Sequence, residues 1–278
     1  MYRTILAAVN EHVNSEVAAR YAMHLAGSAR AKLYLCTVRE PKQTEASFEL
    51  AREAARRLQQ RAQELEIEAE SVFTNGDPVA RIRAFVQAHG IDLVFTATRR
   101  EDVKHRIIKG GTTARRLLPG LPCSVALVRV VHMGRIHPRE ILVPLKQRID
   151  HLPEHAEFTA LVAKAFEAKV HLFHVTKPIK KFFHGERHLT PVEWEEKVPP
   201  DMIRFVSHLD GFGVEHETRL SPGKAGKSIA IEAASRRRDL IIMGASRRGM
   251  IDDLLLRTPV EEVLRETPCN LIILKPGL

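Results

Sequence analysis

Residues 221–228 read SPGKAGKS. With a glycine at Ser221 this would be the loop G-x-x-x-x-G-K-[S/T], in which backbone amides cradle a phosphate, a lysine balances its charge and a hydroxyl holds magnesium. Gly226, Lys227 and Ser228 are therefore a first candidate for nucleotide binding. Three histidine groups are spaced closely enough to share a metal: HMGRIH (132–137), HLPEH (151–155) and HGERH (184–188). None is the H-E-x-x-H of a zinc protease, and none has a matching ligand pair nearby, so they read as surface histidines and no metal site is assigned. HGERH is the one that merits a metal test. Cys36, Cys123 and Cys269 are odd in number and lie in apolar runs, which fits reduced, buried thiols. No G-x-S-x-G elbow is present, and no set of base and metal ligands supports a catalytic assignment. Basic pairs recur at Arg56–Arg57, Arg99–Arg100, Arg115–Arg116, Lys180–Lys181, Arg236–Arg238 and Arg247–Arg248. They are scattered over many elements with few aromatics, which favours solvated helix faces over a nucleic-acid surface.

The chain that must position these groups has 278 residues, enough for two ordinary domains. Hydrophobic residues make up 44% and aromatics only 5%, so a large core must be packed mainly from aliphatic side chains. Net charge is +9 and is uneven: residues 1–137 hold 21 basic and 14 acidic side chains, residues 138–278 hold 22 and 20. That balance favours small anionic partners. No apolar run reaches the ~18 residues of a membrane span. The opening MYRTILAAVNEHVN lacks the apolar stretch and cleavage site of a signal peptide. The expectation is a cytoplasmic protein with no membrane association.

An internal repeat organises the chain. RTILAAVN (3–10) matches REILVPLK (139–146), and AKLYLCTVREP (31–41) matches AKVHLFHVTKP (168–178). DLVFTATRRED (92–102) matches DLIIMGASRRG (239–249), and LLPGLPCSVALVRV (117–130) matches VLRETPCNLIILKP (263–276). The landmarks recur in order, giving a first domain over 1–131, a linker over 132–138 and a second domain over 139–278. In the first copy, continuous apolar runs place strands at 3–9, 32–38, 68–74, 92–97 and 123–130, as suits parallel strands covered on both faces. Amphipathic stretches between them are helices, one capped by Ser15 and another by Asp77 and ended by Gly90. The second copy departs at 177–206, where an irregular segment leads to a helix from about Pro200. Alternating strands and helices imply a doubly wound parallel sheet, with ligands beyond the strands' carboxyl ends.

The repeat reassigns the apparent phosphate loop. Asp77 precedes Asp92 by 15 residues and Lys224 precedes Asp239 by 15, so SPGKAGKS occupies the place of TNGDPVAR. It is a turn from third strand to third helix, in which Gly223 permits an unusual backbone angle.

The arrangement resembles the universal stress protein family in its tandem form. The resemblance rests on the first strand ending AAVN, the NGDP turn, the DLIIMG strand and the closing PCSV and PCNL strands. It implies two flavodoxin-like or Rossmann-like α/β domains, each with five parallel strands in the order 3-2-1-4-5. In ATP-binding members an Asp ends the first strand, and a motif G-x-x-G-x9-G-[S/T] follows the fourth and wraps the phosphates. In the first domain the resemblance points to Val9, Asn10 and Val38, then to Ala97, Arg99 and Arg100, and to Gly110, Gly111, Thr112 and Thr113. In the second it points to Leu145, Lys146 and Val175, then to Gly244, Ser246, Arg247, Arg257 and Thr258. Asn10 and Lys146 replace the Asp, while Arg100, Arg247 and Arg257 replace glycines. An arginine there can block backbone approach to phosphate or bond the phosphate itself. The implied function is a stress-response regulatory protein binding ATP, with magnesium if bound, or a related anionic metabolite, with the first domain favoured. Alternatives are a structural partner-binding protein with inactive pockets and a weak ATP-hydrolysing enzyme. The closing strands SVALVRV and NLIILK would pair edge to edge, and the resemblance further implies a homodimer of tandem chains.

Overall fold

The computed structural model describes residues 2–98, 116–117, 120–134, 136–176, 198–245 and 258–277. The first half contains β1 (Thr4–Ala8), α1 (Val13–Ala29), β2 (Lys32–Arg39), α2 (Glu45–Glu64), β3 (Ala69–Asn75), α3 (Pro78–His89), β4 (Leu93–Thr98) and β5 (Ser124–Arg129). The second contains β6 (Glu140–Leu145), α4 (Leu152–Phe166), β7 (Lys169–Thr176), α5 (Pro200–Gly211), β8 (His216–Pro222), α6 (Ala225–Ser235), β9 (Leu240–Gly244), α7 (Pro259–Glu266) and β10 (Asn270–Lys275).

The strands form one ten-stranded sheet in the order β3-β2-β1-β4-β5-β10-β9-β6-β7-β8. Each half therefore has the order 3-2-1-4-5, parallel throughout. The halves join where β5 and β10 pair antiparallel, with Val128 opposite Ile272 and Leu127 opposite Ile273. All four side chains are buried, so the pairing closes two apolar edges that would otherwise template association. One face of the sheet carries α1, α2, α4 and α5 over a core that runs continuously through both halves, and the other carries α3, α6 and α7. Across the halves, Tyr21 meets Phe166 edge-on at 5.8 Å, and Phe95 lies 6.2 Å from Phe158. Asn270 pins the connecting segment: its side-chain oxygen accepts the amides of Val131 (2.8 Å) and His132 (3.0 Å).

Helix ends show one departure from sequence expectation. Ser15 is not the cap of α1, which starts at Val13; it is buried in the first turn. There its hydroxyl donates to the His12 carbonyl (2.8 Å) and accepts the Asn10 amide (3.0 Å), tying the strand end to the helix. Asp77 does cap α3, accepting the Ala80 amide at 2.9 Å, and Gly90 ends it at φ 60. The helix expected from Pro200 begins there, while the irregular stretch before it falls mostly in 177–197, outside the described residues.

The three thiols are free and buried, and burial pushes Cys36 and Cys269 up to about 12 and Cys123 up to about 11. They are protonated core groups, not nucleophiles. No described helix is long and apolar enough to cross a membrane.

Candidate functional site

A cavity of about 580 Å³ opens in the second half beyond the carboxyl ends of β6, β7 and β9. The strand order reverses between β6 and β9, so the cavity lies at the switch point of the sheet, where doubly wound folds bind ligands. Its size is within the range of small-molecule sites. The buried run Ile141–Val143 holds β6 in the sheet, and the chain leaves it at Leu145 and Lys146. The loop that follows is anchored where the Ile149 amide donates to the Asp201 carboxylate at 2.8 Å. His174 reinforces the strand end, its Nδ1 lying 2.9 Å from the Leu145 carbonyl.

Four residues expected from sequence are brought together here: Leu145, Lys146, Val175 and Gly244 all line the cavity. Thr258 is the cap of α7, accepting the Glu261 amide at 3.3 Å, and the next two residues, Pro259 and Val260, line the wall. Ser246, Arg247 and Arg257 lie outside the described residues. In the first half Val9 is buried with its amide on the Cys36 carbonyl (2.9 Å), and Asn10 uses its side-chain oxygen to accept the His12 amide (3.0 Å). Val38 and Ala97 are partly buried at the ends of β2 and β4. Arg99, Arg100, Gly110, Gly111, Thr112 and Thr113 lie outside the described residues.

The cavity-lining side chain that sequence reasoning missed is His155. HLPEH reads as surface histidines, yet His155 is only 4% exposed, on the inner face of α4, and lines the cavity. Among the described residues neither ring nitrogen has a hydrogen-bond partner, and the ring meets Phe205 edge-on at 5.2 Å. Burial lowers its pKa to about 4, so the imidazole is neutral at physiological pH. The signal was available in the repeat: Ala31-Lys32 aligns with Ala168-Lys169, which sets His155 on the position of Ala18, a buried residue of α1. Of the basic pairs, Arg56 and Arg57 are solvated as expected, and Arg238 is not. Its side chain is 10% exposed and bonds Glu140 at 2.6 Å.

The structure also explains SPGKAGKS. Gly223 has φ 153, as Gly76 has 132 in the first half, so both serve the turn. Gly226 has a separate reason: a Cβ there would collide with the Glu262 carboxylate of α7. A carboxylate packed on the first turn of α6 stands against a phosphate there. Lys224, at the cap position, makes no side-chain cap. Among the described residues no group of three or more His, Cys, Asp or Glu side chains is placed to hold a metal.

The site thus belongs to the class of doubly wound α/β folds, with the described crevice at the switch point of the second half. The model of the Universal stress protein family matches residues 1–129 and again 138–275, and the chain belongs to that family. A universal stress protein from Thermus aquaticus is 28% identical over 132 residues, covering 44% of this chain and 91% of that protein. A solved universal stress protein from Archaeoglobus fulgidus is 18% identical, covering 99% of this chain and 96% of its own, with a TM-score of 0.65. A Pseudomonas aeruginosa structure described as a universal stress protein is 17% identical, covering 99% and 94%, with a TM-score of 0.63.

Proposed function

We propose that this chain is a regulatory binding protein of the stress response, without a catalytic role, that holds a nucleotide or related anionic metabolite in the second-half cavity. The observation that carries this reading is the cavity itself: it lies at the switch point, has mainly apolar walls and presents Lys146 and Arg148, with one carboxylate, Asp150, on the loop after β6. Both cations are exposed, where they can meet an anionic end while the rest of the ligand is buried. Lys146 stands where ATP-binding relatives have an acidic residue, so this pocket presents a cation in place of a carboxylate. The first-half residues Val9, Asn10, Val38 and Ala97, with Gly110 to Thr113, are proposed as a second pocket, and any ATP would carry its magnesium through its own phosphates. A cytoplasmic location and a homodimer of whole chains are part of the proposal. Because β5 and β10 close each other's edges, that dimer would use another surface.

The test is calorimetric titration of the full chain with ATP, AMP and cyclic AMP, beside mass spectrometry of whatever co-purifies. Binding is expected, with Lys146→Glu weakening it about tenfold, roughly 1.4 kcal/mol. No heat with any nucleotide and no co-purifying anion would reject the reading.

A further inference from the structure

We infer that the seam between the two halves holds an anion site: a crevice at the amino ends of the strands that takes a phosphate group, free or carried on a small metabolite, on Arg237 and the linker histidines His132 and His137. It lies at the opposite end of the sheet from the switch-point cavity and does not depend on the reading of that cavity. The crevice measures about 410 Å³. Asp239 and Asn270, which line it, stand at the starts of β9 and β10. Tyr21 of α1 supplies a wall from the first half, the connecting segment supplies the two histidines, and the end of α6 supplies Arg237. Neither half could form it alone.

Charge is unbalanced there. The lining carries His132, His137, Arg237 and Arg238 against a single carboxylate, Asp239. One oxygen of Asp239 already accepts the Arg139 and Glu140 amides, at 2.8 and 2.9 Å. Arg238 is engaged with Glu140 on the outer face. The Arg237 guanidinium is exposed and has no partner among the described residues. His137 touches the rings of His24 and Phe166 and makes no hydrogen bond among the described residues. His132 has Nε2 at 3.0 Å from the Pro268 carbonyl and keeps Nδ1, which donates when the ring is charged. The surrounding field is positive, for the pKa of His24 is lowered by burial and then by His137, Arg61 and Arg20. The negative end of α6 is largely answered, since the Ala233 and Ala234 carbonyls accept the Arg238 and Arg237 amides at 2.9 and 3.2 Å.

The fold does not require these cations. By the Asp92–Asp239 alignment, Arg236, Arg237 and Arg238 stand where the first half has His89, Gly90 and Ile91. Gly90 ends α3 at φ 60, and Arg237 follows α6 in the same left-handed region at φ 50, where glycine is the easier residue. Glycine would serve that turn, so what the arginine adds is its side chain, at the crevice. His132 and His137 belong to the connecting segment, which has no counterpart in the repeat. The donors thus come from two sides, the end of α6 and the connecting segment. A phosphate spreads its oxygens tetrahedrally and can accept from both, with the guanidinium fork on one pair. A carboxylate holds two oxygens in one plane and meets one side fully. The volume leaves room for a small organic body behind the phosphate.

The experiment uses the full chain with three probes: inorganic phosphate, glucose 6-phosphate and acetate. Calorimetry measures affinity. Nitrogen-labelled histidine spectra report the site, the His132 and His137 signals being identified by their loss in His132→Gln and His137→Gln. Phosphate and glucose 6-phosphate are expected to bind and to move both signals, with acetate much weaker. Tighter binding of glucose 6-phosphate assigns a phosphorylated metabolite, and equal binding assigns the free ion. Arg237→Gly restores the first-half residue and suits the left-handed turn, so it should fold at least as stably as wild type and lose phosphate affinity about tenfold. Arg30→Gly is the matched control, because Arg30 is exposed, also ends a helix at φ 53 and does not line the crevice. It should leave phosphate affinity unchanged. Absence of phosphate binding, binding that leaves the two histidine signals in place, or equal affinity in wild type and Arg237→Gly overturns the inference. So does an equal loss in Arg30→Gly, or acetate bound as tightly as phosphate. Nucleotide binding in the switch-point cavity is untouched by any of these results.

Discussion

On the outer face of the first half, Tyr34 packs edge-on against Phe85 with centroids 5.1 Å apart, and Val72 and Ile91 complete an apolar layer under α3. The corresponding positions in the second half are His171, Glu232, Arg219 and Arg238. There Arg238 bridges Glu140 at 2.6 Å and approaches Glu232 at 3.8 Å, while His171 touches Glu140 at 2.5 Å. The two halves keep the same strand order and the same helix positions around opposite chemistry. The inner face shows the same contrast on a smaller scale, with Ala18 and Ala97 in one half and His155 and Gly244 in the other. The backbone of this fold is set by its buried strands and tolerates either filling, provided each polar group has a partner. The outer network meets that condition within the protein except at Arg238 Nε, and His155 meets it at neither ring nitrogen among the described residues.

The largest expected break of this comparison is Arg238→Ala. It should cost about 3 kcal/mol by chemical denaturation, because buried Glu232 is left with only the half-exposed Arg219, at 3.4 Å; that pair and the partial exposure of Glu140 keep the figure at the low end. Replacing the network by its first-half counterparts, His171→Tyr with Glu232→Phe and Arg238→Ile, should recover most of that stability. A loss below about 1 kcal/mol in the single variant would show that solvent, not the network, satisfies this face.

Next comes the pH dependence of His155. Its folded pKa of about 4 lies below the ordinary histidine value, so the unfolded chain binds the proton first. The associated stability is complete above pH 6.5 and is lost as pH falls from there to about 4. At about 1.4 kcal/mol per pKa unit the loss approaches ~3 kcal/mol. His155→Ala should flatten most of this slope in thermal melts taken between pH 4 and 7. A residue of slope should remain from His171, whose pKa is also lowered, by burial and then by Arg238. An unchanged slope in His155→Ala would mean that the imidazole is hydrated.

The smallest effect concerns the third helix of each half. Asp77 caps α3, and its carboxyl is held below the usual range by the Ala80 amide, with Arg116 at 3.0 Å adding to this. Lys224 leaves α6 uncapped. Lys224→Ser should therefore stabilise by roughly 0.5–1 kcal/mol, and Asp77→Ala should lower the melting temperature. If Lys224→Ser is neutral, Glu262 already answers the free amides of α6.

Much of this was legible in order and spacing. The landmark DLVFTAT over DLIIMGA located β4 and β9, and the Asp77–Asp92 and Lys224–Asp239 intervals moved SPGKAGKS from a phosphate loop to a turn. The edge pairing of SVALVRV with NLIILK followed from two apolar closing strands that needed cover. What escaped was compensation between distant residues. Nothing local to HLPEH says that its last histidine is buried, and nothing local to AGKS says that Glu262 lies on Gly226. Arg238 looked like part of a solvated run because its partner, Glu140, is almost a hundred residues away.

The sequence by itself therefore determined the repeat, the strand positions and the family, because buried parallel strands and their turns are written in short contiguous runs. The tertiary structure decided the cavity described in the second half, that a buried imidazole without a partner among the described residues lines it, and why a glycine faces that ring. Those depend on which side chains meet across crossing elements, and a missing methyl on a strand has meaning only beside the ring that fills its space.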